Sequence, residues 1–150
     1  MMKKWVSHAG LPMIFVRVRS WDASGLKIEI RQDSFPDQSH KLWPIPLTFT
    51  SSANPNEVMS LVLDKKLITI VVENVSPKDG WVQFNLKGVG YYIVQYEKKL
   101  YENLIQYRLN DMASIDRQLL VHTQFLLAEH GYCDTRDYIE VFEIKVKIKI

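Results

Sequence analysis

Between Leu11 and about Tyr96 the apolar residues recur at every second position, and from Lys98 onward they recur every three or four. This switch of period is the strongest constraint on the fold, because period two places side chains on alternate faces of a strand and period 3.6 places them on one side of a helix. Met13 and Phe15 alternate with Ile14, Val16 and Val18, while Leu26-Lys27-Ile28-Glu29-Ile30-Arg31 alternates apolar with charged, as a half-buried strand does. Trp21-Asp22-Ala23-Ser24-Gly25 joins them with hairpin chemistry. Ile45 to Thr50 is rich in strand formers, but Pro44 and Pro46 lack backbone donors, so this strand is expected to begin at an edge or enter its sheet late. Ser51 to Asn56 reads as a turn.

Four more strands are expected at Val58 to Leu63, Leu67 to Val72, Trp81 to Leu86 and Tyr91 to Tyr96. Their separators are Asp64-Lys65-Lys66, Ser76-Pro77-Lys78-Asp79-Gly80 and Lys87-Gly88-Val89-Gly90. No helical stretch lies between these strands, which argues for an antiparallel sandwich over a parallel sheet. Beyond them, Leu100, Leu104 and Arg108 share a helical face beside Tyr101, Ile105 and Leu109. Ile115, Leu119, His122 and Leu126 repeat that spacing in a second helix, with Ser114 as its cap and Gly131 ending it in a left-handed conformation. Thr135 to about Phe142 opens a third, with Tyr138 and Phe142 on one face. The fold class is therefore mainly β with α: a short leading helix over residues 1–10, a β-sandwich over 11–97, and helices over 98–150.

A chain of 150 residues with 47% hydrophobic content buries a core without disulfides or a structural metal. Its single cysteine, Cys133, excludes a disulfide scaffold and a cysteine-rich zinc fold. The net charge of +2 is too balanced to imply a nucleic-acid surface. No apolar run approaches the length of a membrane-spanning helix. Met1-Met2-Lys3-Lys4 has the basic flavour of a signal-peptide start, but Gly10, Pro12, Arg17 and Arg19 leave no continuous apolar stretch after it, and the expectation is a soluble, cytoplasmic chain.

The usual chemical constellations are missing. Two metal-binding histidines on one helix need i, i+4 spacing, and none of His8, His40, His122 and His130 has it. Glu129-His130 reads as an ordinary solvated helix end. Cys133 near His130 has no third polar group to orient a base and reads as a packed thiol. Gly88-Val89-Gly90 is followed by strand aromatics and not by a helix, so it is a turn and not a phosphate cradle. Trp81, Tyr91, Tyr92 and Tyr96 raise a base- or sugar-stacking face, but Tyr91 and Tyr92 point to opposite sides, and core packing of the rest is the stronger reading. Ile144-Lys145-Val146-Lys147-Ile148-Lys149-Ile150 alternates strictly, in the manner of an edge strand with a lysine face, a weak contact for an anionic membrane, or the non-native end of a shortened chain.

Several blocks then fall in one order. Trp5, Gly10 and Pro12 form W-x4-G-x-P; Gln32-x-x-Phe35 and Leu42-Trp43-x-Ile45-Pro46-Leu47 come next. Trp81-Val82-x-Phe84-Asn85, Gly90-Tyr91-Tyr92-x-Val94-x-Tyr96, and Asp116-Arg117 with Leu119, Phe125, Leu127-Ala128 and Gly131 complete the series. From about Trp5 to Phe142 this resembles the segment of M1-family zinc aminopeptidases that lies after the catalytic domain, nearest the puromycin-sensitive and oxytocinase-type branch. Ile93 stands where the puromycin-sensitive enzymes tend to have arginine and the oxytocinase-type often have isoleucine, and Thr123 stands where many relatives have aspartate.

The resemblance implies that residues 1–10 end the catalytic domain's last helix, that 11–97 are the family's β-sandwich, and that 98–150 begin its large helical domain. In the family, H-E-x-x-H and a later glutamate hold zinc, and glutamates including that of G-x-M-E-N hold the peptide's amino terminus. Neither motif occurs in this chain. The resemblance thus implies a non-catalytic structural module without a cofactor of its own, zinc belonging to the parent's catalytic domain. Its expected partners are the parent's catalytic and remaining helical domains, with peptide substrate met only through the parent, and neither nucleic acid nor a membrane segment. Trp43, Trp81 and Phe84 are expected to anchor the sandwich, and Trp5 and the Pro12 turn to fix its entry. Asp116 and Arg117 either cap a helix or pair across the domain junction, or form a solvated charge pair. If the chain ends at Ile150, its last helices are expected to expose apolar surface. A free-standing sandwich that binds a protein partner, and a portion of an active enzyme with its motifs elsewhere in a longer gene product, stand as the other readings.

Overall fold

Two sheets face each other across one core. A computed structural model describes residues 11–35 and 42–131. The expected leading helix, the third helix at Thr135 to Phe142 and the Ile144 to Ile150 tail lie outside the described residues, as do Trp5, His8, His40 and Cys133. The strands are β1 (Leu11–Asp22), β2 (Gly25–Phe35), β3 (Ile45–Ser51), β4 (Asn54–Leu63), β5 (Leu67–Glu73), β6 (Val82–Phe84) and β7 (Ile93–Tyr96). The first sheet runs β5-β2-β1-β7 and the second β4-β3-β6. A β-sandwich followed by helices is therefore the architecture, as the change of period required.

The β1–β2 hairpin closes on Asp22, whose Oδ1 accepts the Ser24 N–H at 2.9 Å and the Ser24 hydroxyl at 2.5 Å. These bonds, the hydroxyl first, hold the Asp22 carboxyl below its ordinary range. Gly25 comes next at φ +151, where an added Cβ would lie 2.7 Å from the Val72 carbonyl oxygen of β5. The proline-bearing start of β3 pairs with β4 alone, Pro46 opposite Val62, and β6 joins only at Phe49, Thr50 and Ser51. A residue without an N–H is thus placed where only one side needs donors.

Several local expectations change. β4 starts at Asn54, so the turn shrinks to Ser52 and Ala53. The expected strands at Trp81 to Leu86 and Tyr91 to Tyr96 shorten because Asn85 takes a left-handed conformation (φ 56) and bridges the loop after it. Its Nδ2 donates to the Gly90 carbonyl (3.0 Å) and the Tyr92 carbonyl (3.2 Å), and its Oδ1 accepts the Gly90 N–H (2.8 Å). One pairing is parallel: β7 lies alongside β1, Met13 opposite Ile93 to Val16 opposite Tyr96. Parallel neighbours need a long crossover, and the excursion of the chain through the second sheet supplies it without a helix.

Alternation sorts β1 into two cores. Ile14 and Val16 face the second sheet and join Ile28, Ile30, Ile45, Leu47, Phe49 and Phe84. Met13 faces outward and packs with Phe35, Ile93 and Leu127 in a smaller cluster. The helical part comprises α1 (Lys98–Asn103), a π-helical turn at Leu104–Arg108, a 3-10 turn at Leu109–Asp111, and α2 (Ser114–Glu129). Ser114 does not cap α2. Ala113 occupies that position, and its carbonyl accepts the Asp116 and Arg117 N–H groups at 3.0 and 3.1 Å. The buried stripe of α2 is Leu120, Gln124 and Leu127, while Ile115, His122 and Phe125 are exposed. The helix is rolled because it must meet both the sandwich end and the Met13 cluster. Gly131 stands after it at φ +79, the left-handed position expected for it.

Candidate functional site

The polar side chains with the most structural consequence gather where the sandwich meets the helices. Leu100, Tyr101, Leu104, Ile105, Leu109, Met112 and Leu120 all belong to the core that Trp81, Val82, Phe84 and Tyr96 form from the sheets. Asn103 of α1, buried, donates from Nδ2 to the Gly80 carbonyl at 2.8 Å. Arg108 lays its guanidinium 4.5 Å from the Trp81 ring centre, and its Nε donates to Gln83 Oε1 at 3.0 Å. A planar cation can stack on a ring by its face and donate from its edge at once, which an ammonium cannot do.

Trp43, the first of the residues singled out from sequence as anchors, is buried at 1% exposure. Its N–H donates to Gln32 Oε1 (2.8 Å), its carbonyl accepts from Gln32 Nε2 (3.0 Å), and its indole N–H donates to Ser34 Oγ (3.2 Å). Trp81 is buried under Arg108. Phe84 stacks on Phe49 with ring centres 5.2 Å apart, and its N–H donates to the Tyr96 hydroxyl at 2.9 Å. Pro12 is the second residue of β1, opposite Ser34, so it sits in the strand and not in a turn ahead of it. Asp116, in the first turn of α2, accepts the Lys87 N–H at 2.6 Å across 29 positions of sequence. Arg117 is half-buried beside it. Trp5 lies outside the described residues. Trp81, Phe84 and Asp116 are thus brought to the junction, while Trp43 and Pro12 both meet Ser34 of β2.

Sequence reasoning missed Gln32, Asn85, Asn103 and Arg108 as organising residues. The signal available for Asn85 was its place before Leu86-Lys87-Gly88, a pattern that asks for left-handed backbone. Asn103, in an otherwise apolar stretch at Leu100 to Ile105, carried the signature of a buried amide that must find a partner.

A cavity of about 40 Å³ lies at this junction, between Phe84, Tyr92, Tyr96, Leu104, Leu120 and the fringe of Asp116 and Thr123. It accommodates water and is far below the roughly 300 Å³ at which small-molecule pockets begin. Two phenols face it. Burial pushes the Tyr96 hydroxyl well up from its ordinary value and pushes that of Tyr92 in the same direction. Their neutral forms are therefore favoured by folding. The stability this gives is complete below the unfolded-state value of about 10 and is lost as pH rises above it. Thermal melts across alkaline buffers are expected to show the melting temperature falling beyond that point, and an unchanged melting temperature would contradict the burial of both phenols.

Among the described residues no three His, Cys, Asp or Glu side chains gather closely enough to hold a metal. The donor set required by the zinc that the M1 resemblance implies is not found among them. The exposed Tyr91 and the buried Tyr92 and Tyr96 leave no stacking platform at this site. A shallow hollow at Val18, Trp21, Glu97 and Lys98 lies on the surface, where Glu97 Oε2 accepts the Val18 N–H at 2.7 Å. The junction joins sheets and helices through a shared apolar core and the directed contacts of Asn103, Arg108 and Asp116.

No family model matches the chain. Endoplasmic reticulum aminopeptidase 2 of Homo sapiens is 31% identical over 147 residues, covering 87% of the chain and 14% of that protein. The chain is related to the M1-family aminopeptidases. Endoplasmic reticulum aminopeptidase 1 of Homo sapiens is 30% identical over 141 residues, with 87% of the chain and 14% of that protein covered. Aminopeptidase N of Mus musculus is 26% identical over 138 residues, with 85% and 13% covered. The chain thus spans about one seventh of the length of the M1 relatives it matches. The likeness takes in strands and helices together, since neither part alone makes up 87% of the chain.

Proposed function

We propose that this chain is a non-catalytic structural module, the β-sandwich and first helices of an M1-type aminopeptidase. Residues 1–10 end the preceding helix, 11–97 form the sandwich and 98–150 begin the helical domain. In a full enzyme it is a spacer that fixes the helical domain against the catalytic domain, so that the two together enclose the peptide whose amino-terminal residue is removed. Zinc and the peptide-binding glutamates belong to the parent's catalytic domain, and the parent's catalytic and remaining helical domains are the partners.

The observation that carries this reading is the unbroken core from the sheets into α1 and α2. A spacer transmits position only if its two ends cannot move independently, and a shared apolar core prevents that where a flexible linker would not. Asn103 on Gly80, Arg108 on Trp81 and Asp116 on Lys87 add directional contacts to the non-directional packing, so the angle between sheets and helices is set as well as the distance. These are the roles assigned to Trp81, Phe84 and Asp116; Trp43 anchors the sandwich itself, Arg117 accompanies Asp116, and Pro12 with Trp5 fixes the entry.

Purified chain assayed on aminoacyl fluorogenic amides with added zinc is expected to show no turnover. Activity that persists through further purification and disappears with a chelator would overturn the non-catalytic reading.

A further inference from the structure

Among the described residues, one sheet edge is long and regular and carries no other strand. β5 is the outer strand of the first sheet. Its ladder with β2 runs without a register shift from Gly25 opposite Glu73 to Arg31 opposite Leu67, and no proline, glycine or lysine interrupts it. The other edges are blunted: β4 carries Pro55 and a register shift opposite Thr50, while β6 and β7 have only three and four residues. Edges that are long, regular and uncharged are the ones that recruit another strand.

The direction of the open groups is set by one bond. Gln32 N–H donates to the Lys66 carbonyl at 3.0 Å, which makes that pair hydrogen-bonded and turns the even-numbered backbone groups of β5 towards β2. The N–H and carbonyl groups of Leu67, Thr69 and Val71 therefore point outward from the sheet edge. The side chains of Leu67 and Val71 are 45% and 62% exposed.

We propose that β5 is the two-fold interface of a homodimer, pairing antiparallel with β5 of a second copy about an axis at Thr69. In this register the outward backbone groups of Thr69 meet those of Thr69 of the partner subunit. Leu67 lies opposite Val71 of the partner subunit, and Ile68 opposite Ile70 of the partner subunit. Two positions beyond Leu67, Lys65 lies in the bend before β5 with its carbonyl held by Gln32 Nε2 at 2.9 Å, and its side chain stands on the side of Glu73 of the partner subunit, an ion pair that the symmetry repeats at the other end. Lys66 does not compete, because its ammonium lies 3.3 Å from Asp33 Oδ2 within its own chain. From Leu67 to Val71 every opposed pair is thus apolar or threonine with threonine, and Lys65 with Glu73 is of opposite charge, the combinations that stabilise neighbouring strands, while Lys66 falls opposite Val72 of the partner subunit. The charge match is what selects a second copy over an unrelated strand, since this sequence supplies both halves of it.

Sedimentation equilibrium of the full chain over rising concentration is expected to show a monomer–dimer equilibrium. Thr69→Lys places two ammonium groups at the axis and is expected to weaken association about tenfold or more. Lys65→Glu and Glu73→Lys are each expected to weaken it, and the double variant K65E/E73K to restore it, because exchanging the signs recreates the pair. The amides of Leu67, Thr69 and Val71 are expected to exchange with solvent more slowly as concentration rises. A chain that stays monomeric, edge protection that does not depend on concentration, or a dimer indifferent to the charge reversals each overturns the proposal: the first leaves the edge unused, the second covers it with the chain's own residues, and the third puts the interface elsewhere.

Discussion

Trp43→Ala is expected to lower the unfolding free energy by about 3–5 kcal/mol, the range for emptying a large buried aromatic site. The indole is 1% exposed and sits among Ile45, Leu47 and their neighbours in the main core. Its removal opens a void and leaves Ser34 Oγ without the indole N–H donor it meets at 3.2 Å. The backbone of residue 43 stays held by Gln32, so the loss reads the side chain and not the loss of the crossing between sheets. Domains of this size are stable by only about 5–15 kcal/mol, so the variant is expected to be partly unfolded at modest urea concentrations. Urea titration followed by tryptophan fluorescence and far-UV circular dichroism measures this. A loss below about 1 kcal/mol, the range of an ordinary surface substitution, would mean that Trp43 is not an anchor.

The second large effect is expected at the junction. Leu104 is fully buried between the sandwich and the helices, lining the small cavity with Phe84, Tyr96 and Leu120. Leu104→Ala is expected to cost about 2–5 kcal/mol. The informative part is the shape of the transition. If the sheets and helices share one core, the variant unfolds in a single transition, with helical and sheet signals lost together at a lower urea midpoint and an unchanged slope. Two separated transitions, with the helical signal lost first and the sandwich intact, would show the helices to be an appendage and would remove the rigid-spacer reading while leaving the sandwich assignment in place.

Much of this molecule was legible in its sequence for a physical reason: strand and helix periods are local properties. The alternation at Leu26 to Arg31 required a strand with one face buried, and Leu26, Ile28 and Ile30 are indeed fully buried. Gly25 and Gly131 announced backbone that other residues adopt only with strain, and Pro46 announced a stretch with a neighbour on one side only. What misled was also local. Ile115 and His122 have the spacing of a buried stripe, yet both are exposed, because the roll of a helix is set by what it packs against and α2 packs against two separate cores. Ser114 has the chemistry of a cap, yet that position falls one residue earlier, at Ala113.

The junction was less legible than the sandwich. Trp81 and Phe84 stood out as large aromatics, but nothing in the sequence pairs Trp81 with Arg108 or Asn103 with Gly80, because those partners lie more than twenty positions apart. Asp116 drew attention as an acidic residue at a helix start, where the expected partners are that helix's own N–H groups. Its carboxylate instead accepts the N–H of Lys87, whose own backbone is left-handed at φ 59.

By itself the sequence determined the order of the seven strands and two helices among the described residues, the exclusion of a disulfide scaffold, and the likeness to one segment of the M1 aminopeptidases, because all of these reside in residue type and spacing along the chain. Only the tertiary structure decided that β7 runs parallel to β1, which face of α2 is buried, that sheets and helices share a core, and that β5 is left with its odd-numbered backbone groups open. Those facts depend on which distant atoms meet, and burial and hydrogen bonding between them are settled by the whole chain at once.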